Sequence, residues 1–258
     1  MATVKLSKTT IEFSRKGKGL PLILLHGFPL DNRIWERVFP ILENEFDVVM
    51  PNLRGFGNSI TDSSSFALSD MAEDIAELMD GLGIERGIFA GHSMGGYVAL
   101  SFAQSFPGRL LGLGLISTQS SADSPEKKAS RYQTAAQVEE RGVVILAESM
   151  SDKLVADNEL QKMVSEIIMT QPKSGILGAI RALAERQDHT PTLGTLNCPI
   201  SIIHGDADLL IPVERAVEMN ALCRKSTLTI LEGIGHLPML EKPSETSAAL
   251  IKLKESGD

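Results

Sequence analysis

The sequence predicts an α/β protein with a mostly parallel sheet covered by helices on both faces. Short apolar runs at 20–25, 87–90 and 110–117 have the length and composition of strands that are buried on both sides. Between them lie stretches with the helical spacing of apolar residues. This alternation of strand and helix favours a parallel sheet, and 258 residues with 43% hydrophobic content suffice for a large core.

Composition and charge narrow the class of partner. The net charge is −8 and there is no basic tract, so we expect neither nucleic acid nor an anionic membrane as a partner. No apolar stretch approaches the ~18 residues needed to cross a bilayer. Residues 1–5 lack the apolar region of a signal peptide, and Cys198 and Cys223 are the two cysteines. We therefore expect a cytoplasmic protein with reduced thiols.

The first half of the chain begins with an alternating pattern that predicts an antiparallel hairpin. A helical pattern at 34–43 is interrupted by Pro40, which removes a backbone donor. A glycine-rich loop at 51–59 follows the second buried strand. In chain order we expect hairpin strands at 4–7 and 9–13, buried strands at 20–25 and 46–50, a helix at 68–82, a strand at 87–90, a helix at 97–106 and a strand at 110–117.

The second half resumes regular alternation only near residue 199. There we expect strands at 199–204 and 227–231 and helices at 212–222 and 243–253. The intervening segment, 118–190, contains no convincing pair of strands but carries helical stripes at 160–168 and 176–184. Such helices either pack directly on the sheet or form a cap above the strand ends. The length of the segment favours a cap, because a single crossover needs fewer residues.

A G-x-S-x-G pattern at 91–95 lies between a predicted strand and a predicted helix. Read as strand, sharp turn and helix, it places Ser93 at the tip of the turn, and the flanking glycines supply the small size that such a turn needs. A hydroxyl nucleophile also needs a base and a group that orients the base. Ser93 is therefore the candidate nucleophile.

Acid and base candidates follow two later strands. Asp206 and Asp208 come just after the strand at 199–204, and His236 comes after the strand at 227–231. Sites in open parallel sheets form at the carboxyl ends of strands, so these side chains are expected near Ser93.

These motifs together resemble the α/β-hydrolase superfamily over almost the full length of the chain. The resemblance is closest to small capped esterases, enol-lactonases and cofactor-free haloperoxidase- or perhydrolase-like esterases. It implies an α/β-hydrolase fold with a mostly parallel eight-stranded sheet, a core domain at 1–117 and 191–258, and a helical cap at 118–190. The matching pieces are His26-Gly27-Phe28-Pro29, the loop at 51–59, the turn at 91–96, the acid turn at 205–212 and Gly235-His236.

By position, the resemblance implies Ser93 as nucleophile, His236 as general base and Asp208 as the orienting acid. Asp206 stays open as the alternative acid. The backbone N–H groups of Phe28 and Met94 would form the oxyanion hole. As further candidates, we expect the substrate pocket to include Trp35, Leu209 and Leu237.

The resulting hypothesis is a serine hydrolase that cleaves small carboxylic esters or lactones through an acyl-serine intermediate. The alternatives are a carbon–carbon bond hydrolase or perhydrolase on the same scaffold, and a ligand-sensing relative. A haloalkane dehalogenase is disfavoured because its nucleophile is Asp. The five histidines show no metal-ligand spacing, so we expect no metal and no cofactor. The expected partner is a small ester or lactone, bound by a monomer or homodimer.

Overall fold

One mixed sheet runs through the molecule, as seen in a computed structural model that describes residues 1–61 and 65–255. Within those ranges the sheet has nine strands. They are β1 (Ala2–Lys5), β2 (Thr9–Gly17), β3 (Pro21–Leu25), β4 (Asp47–Pro51), β5 (Ile60–Thr61), β6 (Gly87–His92), β7 (Leu110–Ile116), β8 (Ile200–Gly205) and β9 (Ser226–Leu231).

The order of the strands is β1-β2-β4-β3-β6-β7-β8-β9, with β5 paired to β2 outside this path. The pairs that involve β2 are antiparallel, and the remaining pairs from β4 to β9 are parallel. The predicted mostly parallel sheet is therefore confirmed. The two-residue strand β5 was not predicted, because two residues carry no periodic signal.

Eleven α-helices are present in the same described ranges. Two single turns of 3₁₀-helix accompany them, at Asn32–Trp35 and Pro107–Arg109. The helices are α1 (Phe39–Leu42), α2 (Leu68–Gly81), α3 (Met94–Ser105), α4 (Pro125–Arg141), α5 (Val144–Leu154), α6 (Asn158–Met169), α7 (Lys173–Ala184), α8 (Thr190–Thr195), α9 (Glu214–Leu222), α10 (Pro238–Glu241) and α11 (Pro243–Glu255).

The predicted helix at 34–43 is wrong in its form. The structure has a 3₁₀ turn ending at Trp35 and a separate single turn, α1, with Pro40 in its first turn. Proline lacks an N–H and its ring clashes with the carbonyl four residues earlier, so a continuous helix cannot pass through it. At the start of a helix the missing N–H costs nothing, and this is where Pro40 lies.

The core lies on both faces of the central strands. Leu22, Ile23 and Leu24 of β3 are fully buried, as expected for an inner strand of a covered parallel sheet. Helix α3 packs on β6, where the ring centroids of Phe89 and Phe102 lie 4.2 Å apart. Among the described residues, no helix combines the length and apolarity required to cross a bilayer.

Five helices, α4 to α8, occupy the stretch between β7 and β8. Helix α4 packs against α7, and α5 packs against α6. The buried side of this group includes Val138, Leu146, Val164 and Ile180. The sheet and these helices together frame the carboxyl ends of β6, β8 and β9, where the candidate residues lie.

Candidate active site

Ser93 occupies the tight turn between β6 and α3. Its backbone has φ 51° and ψ −114°, a conformation that residues other than glycine rarely adopt, and its N–H donates to the Ile116 carbonyl at 2.9 Å. The turn has no room for larger neighbours. A Cβ on Gly91 would lie 2.3 Å from the Gly95 oxygen, and one on Gly95 would lie 2.1 Å from the Leu25 oxygen. The glycines therefore permit the backbone conformation that exposes Ser93 at the tip of the turn.

Asp208 and His236 are joined across the carboxyl ends of β8 and β9. The His236 Nδ1 lies 2.6 Å from the Asp208 Oδ2, and both side chains are almost fully buried. The other carboxylate oxygen accepts hydrogen bonds from the N–H groups of Leu210 and Ile211 at 2.8 and 3.0 Å. The His236 N–H donates to the Leu154 carbonyl at 3.0 Å. Both partners are thus held by backbone contacts as well as by each other.

The surroundings keep the Asp208 carboxyl ionised. Burial alone would raise its pKa, but the charge and hydrogen bond of His236 and the two backbone donors outweigh burial and hold the pKa below its usual value. An ionised carboxylate accepts a hydrogen bond from the His236 Nδ1–H, which leaves Nε2 as the basic nitrogen of the ring. This arrangement equips His236 to take a proton from a hydroxyl.

Asp206, two residues earlier, points elsewhere. Its Oδ1 accepts a hydrogen bond from the Gly233 N–H at 2.6 Å, and the residue is exposed. The structure therefore brings Asp208 rather than Asp206 to His236.

Two further buried histidines, His92 and His26, bond to backbone groups near the site. The ring of His92 lies 4.8 Å from that of His236, and its Nε2 lies 2.9 Å from the His236 carbonyl oxygen. Complete burial and the nearby His236 lower the pKa of His92 well below its usual value, so the ring is neutral and Nε2–H donates. The His26 Nε2 accepts from the Leu53 N–H at 2.9 Å, and burial lowers its pKa to about 4. These rings hold the backbone around the site.

A cavity of about 530 Å³ opens at this point and is lined by both Ser93 and His236. Phe28 and Met94 also line it. Met94 is the first residue of α3, so its backbone N–H has no carbonyl partner within the helix. The helix start adds partial positive charge there, which suits the binding of a developing anion.

The three predicted pocket residues do not line this cavity, and this prediction is corrected. Trp35 and Leu237 are completely buried in the core, and Leu209 is 73% exposed on the surface. Leu210 and Ile211 line the cavity instead, because their N–H groups turn towards the Asp208 carboxylate and the chain directs Leu209 outwards. An apolar side chain next to a catalytic candidate is not a sufficient signal for the pocket.

The cavity also has a charged wall that the sequence reasoning missed. Asp123, Lys127 and Arg131 line it. The available signal was the spacing of the two cations, four residues apart and therefore on one face of a helix. Asp123 precedes α4 in an irregular segment, where no periodic pattern marks it.

Comparison with protein families decides the class to which this arrangement belongs. Residues 21–243 match the family model described as alpha/beta hydrolase fold. The chain belongs to this family. The order of this α/β hydrolase's candidate residues along the chain, Ser93, Asp208 and His236, is the order expected for such a fold.

Similar proteins include several kinds of hydrolase. A thermophilic esterase from Thermogutta terrifontis is 33% identical, with a TM-score of 0.96 over 100% of this chain and 99% of its own. The enol-lactonase from Burkholderia xenovorans LB400 has a TM-score of 0.91 at 20% identity, covering 98% of this chain and 100% of its own, which shows the common fold. A fluoroacetate dehalogenase from a Burkholderia species is 38% identical over 44% of this chain. The match spans 39% of that dehalogenase, and the first curated relatives are matched over 30% to 66% of their length.

Proposed function

We propose that this α/β hydrolase cleaves carboxylic esters or lactones with Ser93, His236 and Asp208 as its catalytic triad. The observation that carries the proposal is the 2.6 Å contact between the His236 Nδ1 and the Asp208 Oδ2, beside a cavity that Ser93 also lines. A buried carboxylate that orients an imidazole next to a serine on a strained turn is the arrangement used for acyl transfer. The 33% identity with an esterase over the whole chain supports the same class of reaction.

The reaction would proceed in two steps. The Ser93 Oγ attacks the carbonyl carbon while its proton passes to the His236 Nε2, and Asp208 stabilises the resulting imidazolium. The tetrahedral oxyanion accepts hydrogen bonds from the backbone N–H groups of Phe28 and Met94. Collapse breaks the bond to the alcohol oxygen, which takes the proton from His236. Water then attacks acyl-Ser93, giving its proton to His236, which returns it to the Ser93 oxygen as the acid departs.

We also propose that the segment 118–190 acts as the cap that shapes the substrate site. Gln119, Lys127, Arg131 and Met150, all from this segment, line the cavity that Ser93 also lines. Changes in this segment would therefore alter which ester is accepted more than they alter the chemistry.

The first experiment is hydrolysis of p-nitrophenyl esters with acyl chains from C2 to C12. We expect Ser93→Ala to lower kcat about 10⁴-fold or more, because the hydroxyl that forms the acyl intermediate is missing. Ser149→Ala is the matched control, since Ser149 is an exposed residue and, within the described part of the chain, its hydroxyl bonds to the Ile145 carbonyl of its own helix. Equal turnover by wild type and Ser93→Ala would reject the serine mechanism.

A further inference from the structure

The wall of the cavity formed by the chain just before α4 and by its first turns carries a concentration of positive charge. Lys127 and Arg131 line the cavity, and the Arg186 guanidinium contacts Asp123, which lines it too. We call Lys127, Arg131 and Arg186 the cationic cluster. It stands out because the chain as a whole has a net charge of −8.

Asp123 neutralises only part of the cationic cluster. Its carboxylate accepts hydrogen bonds from Arg131 and forms an ion pair with Arg186, so one carboxylate serves two guanidiniums. Burial would raise the pKa of Asp123, but the two arginines outweigh burial and hold it below its usual value. Asp123 therefore carries one negative charge, which balances the charge of only one of the two arginines.

Lys127 adds a third cation without its own counter-ion. It lies one helical turn before Arg131 on the same face of α4. Within residues 1–61 and 65–255, no carboxylate lies within salt-bridge distance of its ammonium. Lys127 is an exposed residue, and its partial desolvation and the charge of Arg131 both lower its pKa. Three cations thus face one carboxylate, and the cluster keeps two positive charges in excess.

The cluster is connected to the nucleophile through Tyr97. This residue follows Ser93 by one helical turn on α3, a rise of about 6 Å along the axis, and it lines the same cavity. The Arg186 guanidinium carbon lies 4.4 Å from the centroid of the Tyr97 ring, and the side chain is 2% exposed. Its Nη2 donates to the Ser121 carbonyl at 2.9 Å, which fixes the guanidinium in place. Tyr97 therefore links the charged wall to the helix that follows Ser93, and both border the same cavity.

We propose that the cationic cluster binds a free carboxylate on the substrate, so that the preferred substrates are monoesters of short dicarboxylic acids or lactones that carry a carboxylate. This inference rests on the proposed function for the identity of the cleaved bond. An anion in the cavity would meet the Lys127 ammonium and the Arg131 guanidinium, and the buried Arg186 would add its positive charge through space. The Gln119 and Ser121 side chains on the same wall offer further polar contacts.

The test compares methyl esters that differ in one carboxylate. Monomethyl succinate, glutarate and adipate are paired with methyl esters of unsubstituted acids of equal chain length, and acid release is followed at constant pH. We expect wild-type kcat/KM to be about tenfold or more higher for the charged member of the best pair at low salt, and the preference to shrink at high salt. Lys127→Gln should lower this preference about tenfold, chiefly through KM, and Lys127→Arg should restore part of it.

Lys162→Gln is the matched control, because Lys162 is exposed on α6 and its loss changes the net charge equally. The preference of Lys162→Gln for the carboxylate-bearing ester should equal that of the wild type. No preference in the wild type, or an equal preference in Lys127→Gln, would overturn the proposal while leaving serine hydrolysis of neutral esters intact.

Direct binding separates this proposal from the proposed function. Glutarate is titrated calorimetrically into Ser93→Ala protein, with and without Lys127→Gln. Binding that weakens about tenfold or more on loss of Lys127 supports the carboxylate site even if no ester is hydrolysed, in which case only the proposed function fails. Absence of glutarate binding, or binding that is indifferent to Lys127, overturns the carboxylate site.

Discussion

Asp206 and Asp208 show how a short turn assigns different tasks to two identical side chains. Asp208 directs one oxygen to the N–H groups of Leu210 and Ile211, and this places its other oxygen against His236. Asp206 accepts from the Gly233 N–H on the exposed side of the same turn. Local hydrogen bonds within and across the turn therefore determine which carboxylate meets the imidazole.

Replacing each aspartate by asparagine tests this division. Asp208→Asn should lower kcat for ester hydrolysis about 10⁴-fold, because a neutral amide no longer selects the ring tautomer with basic Nε2 or stabilises the imidazolium. Asp206→Asn is the control and should stay within about twofold, since its oxygen still accepts from the Gly233 N–H. Steady-state kinetics on the best p-nitrophenyl ester gives both values. A larger loss in Asp206→Asn than in Asp208→Asn would show that Asp206, and not Asp208, is the orienting acid.

At the scale of elements, helix α7 approaches the loop after β4 closely at a glycine. A Cβ on Gly175 in α7 would lie 1.7 Å from the Gly55 oxygen, in the loop after β4. A Cβ on Gly178, almost one turn later, would lie 2.3 Å from the Phe66 ring. Helix α7 therefore packs its backbone directly against the loop, which any side chain at Gly175 would push away.

Replacing glycine by alanine should destabilise the protein in α7 but stabilise it in α8. Gly175→Ala should lower the free energy of unfolding by about 1–3 kcal/mol, because backbone atoms on both sides must move apart. Gly194→Ala in α8 should raise it by up to about 1 kcal/mol, since its Cβ would meet nothing closer than the Leu222 oxygen at 3.9 Å and alanine favours helix. Urea unfolding followed by circular dichroism measures both changes. Stabilisation by Gly175→Ala would contradict the tight contact.

The sequence predicts elements well where one local pattern dominates. Strands β3, β6, β7 and β8 are apolar runs and lie within a residue or two of their predicted bounds. Helix α3 begins at Met94, three residues earlier than the apolar spacing suggests. The turn at Ser93 sets the start of the helix, whereas the apolar residues that mark it in the sequence begin only later. The helices α1 and α10 have four residues each, too few to show a helical period.

At the scale of the whole molecule, one buried side chain joins the helices between β7 and β8 to two loops of the sheet. The Gln171 amide donates to the Asp31 carboxylate at 2.8 Å, and its oxygen accepts from the Gly57 N–H at 2.9 Å. Arg33 donates to the same carboxylate through Nε at 2.9 Å and Nη2 at 2.7 Å. Asp31 is thus the centre of the junction between α6–α7 and the strands.

This junction should make stability depend on acidity. Burial would raise the pKa of Asp31, but the hydrogen bonds of Arg33 and Gln171 outweigh burial and hold it below its usual value. A carboxyl with a depressed folded-state pKa stabilises the protein above its unfolded pKa, and this stabilisation is lost as the pH falls through the folded pKa. Asp31→Asn should therefore cost about 2 kcal/mol of unfolding free energy at pH 7 and progressively less below about pH 4.

Urea unfolding between pH 7 and pH 3 measures this difference. Asp152→Asn removes an equal charge from an exposed position on α5 and should differ little from the wild type over the range. A deficit of Asp31→Asn that stays constant down to pH 3 would show that the charge of Asp31 does not stabilise the junction.

The sequence by itself determined the parallel sheet, the turn at Ser93 and the family resemblance, because these depend on apolar runs and glycine-rich turns within a few residues. Tertiary structure decided which side chains share the cavity. Asp123, Arg131 and Arg186 meet only when α4 and the chain after α7 fold over Tyr97. The spacing of Lys127 and Arg131 is a local signal, but the contact of Asp123 with the distant Arg186 leaves no periodic trace. That contact and the residues that line the pocket therefore emerge only from the packed molecule.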